Sequence, residues 1–356
     1  MSENKTLPVR KKREPMTDTK LLLTITISIF VVMYAAAMIF LGGGFLRAQK
    51  IFDLLNENCA LLIVSLGLSM VMICGSIDIS VGGMVAMISM ACVVHLNNGG
   101  SIFTAVLLSL GIGLAFGLVQ GYLVAYLNIQ PFIVSLAGMF FARGMTTIIS
   151  VQPQSVKHEG FKALMKTKIE IPALGYTAKN GNLIPAKLEI AVVIALILVI
   201  CIFIMLQKTK LGRNFYAVGG NQQSALMLGV NVKRTKFTAH LFCSILAGIA
   251  GFCYAMHTGA GNATNAQGME MNAIASSIIG GTLLTGGVGN IIGTFFGVLT
   301  LTTIKSIVVT SGLKEPYWQS ITSGAMLALF ILLQSVVLNN RGKKLTLPPW
   351  MKLRKA

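Results

Sequence analysis

The chain has 356 residues, 54% of them hydrophobic and only 11% charged, with a net charge of +18. That balance excludes an ordinary soluble domain. Apolar runs long enough to cross a hydrocarbon core of roughly 30 Å recur along the whole length. A nucleic-acid role is excluded by where the cations lie. Six sit in the N-terminal arm (Lys5, Arg10, Lys11, Lys12, Arg13, Lys20), six flank one internal loop (Lys208, Lys210, Arg213, Lys233, Arg234, Lys236), and six sit in the tail (Arg341, Lys343, Lys344, Lys352, Arg354, Lys355). Three separate basic segments between apolar runs mark cytoplasmic loops.

In chain order the pattern predicts ten spans, at 21–41, 58–74, 80–96, 102–127, 132–150, 188–206, 238–257, 270–283, 288–310 and 318–338. The first is too long for a cleaved signal, lacks a small-residue cleavage site, and is followed by more spans. With the N-terminus inside, ten crossings put all three basic segments on the cytoplasmic side. The expected organisation is a basic arm (1–20), a transmembrane domain (21–338) and a basic tail (339–356). Residues 42–57 read as an external loop or interfacial helix. The long loop 151–187 falls outside the membrane, although its six lysines and two glutamates fit the positive-inside rule poorly. Spans two, three and eight are short, which leaves room for a broken or re-entrant helix.

A faint internal repeat runs through the chain. Gly113, Gly117 and Gly121 lie four apart in span four, as do Gly289, Gly293 and Gly297 in span nine, and an acidic residue opens span three (Asp78) and span eight (Glu270). Five spans repeated give two halves of opposite orientation, an arrangement common in transporters. Small-xxx-small stripes also arise simply because they let helices approach closely.

The chemistry is spare. No GxxxxGK[ST] stretch occurs, so the chain has no phosphate cradle of that kind. No nucleophile-and-base set converges, and an enzyme reading has no support. The six cysteines lie in or beside apolar runs without a CxxC pair and read as packing residues; the four histidines have no ligand spacing. Charges within spans are few: Asp78, Glu270, Arg143 and Lys305. A pathway lined by hydroxyls and amides suits a neutral polyol, although most Ser and Thr in such helices bond their own backbone. The expected pathway or gate residues are Asp78, Ser80, Gln120, Asn128, Glu270 and Asn272. Asp78 or Ser80 can equally be a cap for span three.

The stretch "GRNFYAVGGNQQSALMLGV" (212–230) reads as a loop followed by a two-turn helix. Asn221 is a good N-cap and Gly229 suits a left-handed terminator. Ala225, Leu226, Met227 and Leu228 are apolar, on an element too short to stand alone. A capped, apolar, cytoplasmic helix seeks a protein partner or lies on the lipid surface.

Four motifs carry a family resemblance. "GSIDISVGG" (75–83), "PFIVSLAGMFFARG" (131–144), "TKLGRNFYAVGGNQQSALMLGVNV" (209–232) and "GMEMNAIASSIIGGTLLTGGVGNIIGTFFG" (268–297) resemble, in order, signature segments of monosaccharide-type ABC importer permeases. "SLAGMFF" and "GGTLLTGGVG" are most similar to permeases of galactofuranose transporters; ribose, xylose, arabinose and galactose permeases are related. The chain departs from the family at Ser76, Ile79, Gln223, Ser224 and Asn272, the last where Asp is usual. The resemblance implies an all-α multi-pass protein of a bacterial cytoplasmic membrane. It implies three partners: a second permease, an extracytoplasmic sugar-binding protein, and an ATPase that holds ATP and magnesium, with no cofactor in this chain. It makes the 221–229 helix a coupling helix, with Gly219, Gly220, Asn221, Ala225, Leu228 and Gly229 as its expected ATPase contacts. Two other classes compete: an ion-coupled carrier, which would need embedded carboxylates, and a branched-chain amino-acid permease, whose zwitterion would want more charged groups.

Overall fold

The computed structural model describes residues 18–177 and 183–340, so most of the basic arm and tail lies outside the described residues. The first half runs α1 (Asp18–Leu41), a short 3-10 turn, α2 (Gln49–Glu57), α3 (Cys59–Ile73), α4 (Val81–Asn97), α5 (Ile102–Ala125) and α6 (Pro131–Ile149). A connecting region follows, with β1 (Gln154–Ser155), α7 (Glu159–Lys166), β2 (Lys168–Thr177) and β3 (Leu183–Glu189). The second half runs α8 (Ile190–Lys208), α9 (Lys210–Gly220), α10 (Gln222–Met227), α11 (Val232–Thr258), β4 (Ala260–Gly261), α12 (Met269–Ile279), α13 (Ile291–Thr310) and α14 (Pro316–Asn340).

Among the described residues seven helices are long and apolar enough to span a membrane: α1, α5, α6, α8, α11, α13 and α14. The α2–α3 pair, bent by 64°, makes an eighth if taken as one span. The expected short spans three and eight are α4 and α12, of 17 and 11 residues. The eighth stops four residues before its expected end because Gly280 and Gly281 break the helix. Each of the ten expected segments thus meets a helix, but by length alone only seven or eight cross.

The loop expected at 151–187 is folded. β2 and β3 form an antiparallel hairpin, and β1 pairs with β4. "KIEI" (168–171) alternates polar and apolar residues, the period of a strand. Three of the lysines that sat poorly with the positive-inside rule are paired here: Lys162 with Glu159, Lys168 with Glu189 and Lys187 with Glu170. The region's net charge is therefore smaller than its lysine count suggests.

All fifteen residues of α3 are buried, which suits a helix apolar on every side. It packs against α8, α11, α12 and α13. The α5 glycine stripe lets α11 approach closely: Gly113 and Gly117 face Ser244 and Leu241, and Gly121 faces Phe237. In α13, Gly293 and Gly297 lie instead against Gly280 and Ser276 at the end of α12. Elsewhere the outer surface is apolar, with Val32, Ile39, Phe40, Phe103, Ile148 and Leu332 exposed as a lipid-facing exterior requires.

Two faces orient the bundle. On the basic-loop face lie α9, α10 and the start of α11. α1 begins there, with Leu22 beside Gly281, and α14 returns to it, where Gln334 Nε2 donates to the Ile278 carbonyl at 2.6 Å. At about 1.5 Å per residue, α11 carries the chain across to the opposite face, where β4 and the hairpin lie.

Candidate translocation pathway and coupling site

The first broken join connects α3 to α4. Gly75, at φ +77°, turns the chain, and residues 76–80 then run without helix or strand bonding in the bundle. Backbone removed from water must find partners within the protein. Asp78, fully buried at 0% exposure, supplies one. Its Oδ1 accepts from the Ser80 backbone N–H at 3.0 Å and from the Ser80 hydroxyl at 2.6 Å. The Ser80 hydroxyl also stands 3.2 Å from Gln120 Oε1 on α5. With one proton, Ser80 donates to one of the two at a time. Asp78 Oδ2 faces His240 Nδ1 of α11 at 3.9 Å. That oxygen, Gln120 Nε2 and both His240 ring nitrogens are buried without a hydrogen-bond partner. The capping expectation needs correction. Ser80 occupies the N-cap of α4 but its side chain makes no cap bond, and Asp78 holds the N-cap residue's own N–H rather than one inside the helix.

The second join connects α11 to α12. After Thr258 the chain pairs briefly as β4, then runs to Gly268 before α12 begins. Here the partner comes from another helix. Arg143 of α6 donates to the carbonyls of Ala263 (3.2 Å), Asn265 (2.6 Å) and Ala266 (3.1 Å). Glu270, in the first turn of α12, is buried, and its Oε2 has no hydrogen-bond partner. A Cβ on Gly82, in the first turn of α4, would collide with that carboxylate. The N-terminal turns of α4 and α12 therefore touch inside the bundle, each at the end where backbone N–H groups are free.

On the basic-loop face, residues 210–220, expected as a loop, form helix α9. Asn221 does cap α10: its Oδ1 accepts from the Ser224 N–H at 2.8 Å. Gly229 ends the turn at φ +79°, and the Val230 N–H returns to the Ala225 carbonyl at 3.0 Å. Ala225 is turned inward and buried, so it does not share the outer surface. Leu226, Met227 and Leu228 do, at 64%, 89% and 80% exposure. Beneath them the end of α9 rests on bare backbone. A Cβ on Gly219 would strike the Ile73 carbonyl, and one on Gly287 would lie 2.6 Å from Gly220 Cα. The Gly287 N–H donates to the Ile73 carbonyl at 2.9 Å, and Tyr216 Oη donates to the Gly289 carbonyl at 2.9 Å.

Of the expected pathway residues, Asp78, Ser80 and Gln120 converge, and Glu270 meets the first turn of α4. Asn272 lies elsewhere on α12, accepting from Lys305 Nζ at 2.8 Å. Asn128 stands apart, at φ +54° beyond α5, lining a groove of about 740 Å³ with Gln222, Gln223, Leu226, Lys233 and Lys236. His240 was missed. Its only sequence signal was a lone histidine within an apolar span.

Apolar helices around two polar, buried breaks, with a short exposed apolar helix seated beneath, define a membrane permease rather than a soluble or catalytic protein. Residues 50–331 match the family described as branched-chain amino acid transport system / permease component, and the chain belongs to that family. It is 34% identical over 320 residues to the inner membrane ABC transporter permease protein YjfF of Escherichia coli, covering 90% of this chain and 93% of that one. It is 31% identical over 343 residues to the fructose import permease protein FruG of Bifidobacterium longum, covering 95% and 99%. With the galactose/methyl galactoside import permease protein MglC of E. coli it shares 28% over 328 residues, covering 87% and 93%. No solved structure matches the chain. The chain is a multi-pass transport subunit, not an enzyme.

Proposed function

We propose that this chain is the permease of an ATP-driven importer of a monosaccharide, galactofuranose or another pentose or hexose. In this reading it sits in a bacterial cytoplasmic membrane with both termini and the 207–237 loop inside. A separate ATPase binds ATP and magnesium, a second permease completes the channel, and an extracytoplasmic binding protein delivers the sugar. Relatives that cover nearly the whole chain are named for fructose and galactose import, which favours a sugar over an amino acid.

The observation that carries the mechanism is the placement of α10. Three large apolar side chains point outward from a capped helix, and that helix is joined through α9 to the backbone of both Ile73 and Gly287. A partner that grips Leu226–Leu228 therefore pulls on the end of α3 and on the 280–290 turn together. Those segments lead directly into the α3–α4 join and away from α12. We read the two joins as the gate, and as the basis of a five-plus-five inverted repeat with ten crossings. α4 packs on α5 and α6 as α12 packs on α13 and α14. The glycine stripes support the repeat less, since α5 meets α11 whereas α13 meets α12. α1 starting and α14 ending on one face also suits an even number of crossings.

A neutral sugar gains no direct work from the membrane potential, so accumulation falls to the ATPase. The whole transporter in sealed vesicles should accumulate sugar with ATP and binding protein and no ion gradient. Leu228→Asp should leave the permease in the membrane but abolish ATP-coupled uptake. Uptake by this chain alone, driven by an ion gradient and indifferent to ATP, would overturn the proposal.

A further inference from the structure

Lys305 is an unusual residue for the interior of a permease helix, and neither join uses it. It lies three-quarters of the way along α13, and its ammonium donates to the neutral Asn272 Oδ1 at 2.8 Å. Among the described residues no carboxylate stands within ion-pairing distance of it. An ammonium carries three N–H donors, so two remain to be placed, and Asn272 keeps its amide N–H₂ free while its oxygen is engaged.

Both side chains border open space. Three adjoining hollows of about 400, 300 and 280 Å³ share Lys305 on their walls. Asn272 borders the first two, and Gln267, Gln319, Asn58 and Glu57 supply further amides and one carboxylate. Ligand sites typically occupy roughly 300–1,000 Å³ with a few convergent polar groups. The crevice lies at the end of the bundle that holds the α2–α3 bend and the start of α14, away from the basic loop. Thr264 and Ala266, from the join clamped by Arg143, form part of its wall.

We propose that this crevice is the first holding site for the solute inside the permease, and that Lys305 and Asn272 together read adjacent hydroxyls of a monosaccharide. A hydroxyl both donates and accepts. Lys305 and the Asn272 amide supply donors to neighbouring sugar oxygens, while Glu57 and the glutamine carbonyls accept from the same hydroxyls. Occupancy is thereby placed against the 259–268 join, one of the two breaks that form the gate. The proposal rests on the sugar reading above and adds the residues that select the sugar.

The test uses the whole transporter, with ATPase, second permease and binding protein, in proteoliposomes. Uptake of radiolabelled galactose, fructose and ribose is measured in turn, per mole of assembled complex. Lys305→Met and Asn272→Leu should each lower uptake by about ten-fold, the loss of charge-assisted hydrogen bonds. Lys305→Arg should recover most of it. Lys314→Gln, which removes an exposed cation at the nearby turn, should match wild type. An active wild type matched within two-fold by both Lys305→Met and Asn272→Leu would overturn the crevice alone. Equal losses in Lys305→Arg and Lys305→Met, or a comparable loss in Lys314→Gln, would likewise overturn it. A wild type that imports none of these three, nor galactofuranose, xylose or arabinose, would overturn the sugar reading and the crevice with it.

Discussion

The two broken joins face one physical problem and solve it with opposite charges. Extended backbone inside a bundle exposes both N–H and C=O groups, with no water to receive them. At 76–80 the chain supplies an acceptor: the Asp78 carboxylate takes the Ser80 N–H and hydroxyl. At 259–268 a neighbouring helix supplies donors: the Arg143 guanidinium spans three carbonyls. The first join is held by a residue of its own segment. The second is held from α6, so its geometry depends on how α6 sits. Breaking the first should therefore be a local event, and breaking the second should loosen two parts of the bundle together.

The largest effect is expected from Arg143→Ala. Three carbonyls lose their donor, and each buried polar group left unpaired costs about 1–3 kcal/mol. Uptake should vanish and the melting temperature of the purified permease should fall. Arg143→Lys should restore little, since a point donor cannot bridge three acceptors as a planar fork does. A normal melting curve for the alanine variant would show that the clamp is dispensable. Asp78→Asn should have an intermediate effect. The amide keeps the acceptor that holds Ser80 but removes the charge facing His240, so uptake should drop by about ten-fold with assembly intact. Unchanged uptake would reduce Asp78 to a backbone support, and the two joins would then differ more than their shared role implies. The smallest effect should come from Gly82→Ala. Its Cβ meets the far end of the Glu270 side chain, which can swing aside, so uptake should fall a few-fold. Glu270→Ala should be less harmful in the Gly82→Ala background than alone, a non-additivity read from a double-mutant cycle.

Much of this was legible in the residue order. Long apolar runs located α1, α3 to α6, α8 and α11 to α14, and the short runs at 58–74, 80–96 and 270–283 already pointed to breaks. The N-cap at Asn221 and the turn at Gly229 were readable because local chemistry alone determines them. α9 was not: Gly212, Gly219 and Gly220 lower helix propensity, and only packing seen in three dimensions, of Gly212 against the Leu206 backbone and of Gly219 and Gly220 against Ile73 and Gly287, explains why glycine is placed there. The β2–β3 hairpin was hidden by Pro172 and Gly175, which interrupt its strand pattern. Asp78 was visible as a buried acid, but His240, 162 positions later, could be paired with it only once α11 was seen lying against the start of α4.

The contact among Gly219, Gly220, Ile73 and Gly287 has a mechanical consequence. Two side chains pressed together can absorb a push by rotating about their χ angles, and part of the displacement is lost as play. Here peptide groups touch peptide groups, and a stiff planar amide offers no such slack. A stroke delivered at Leu226–Leu228 should reach α3 and the 280–290 turn nearly undiminished and at the same instant. The absence of side chains at this one point makes the linkage behave as a rigid crank.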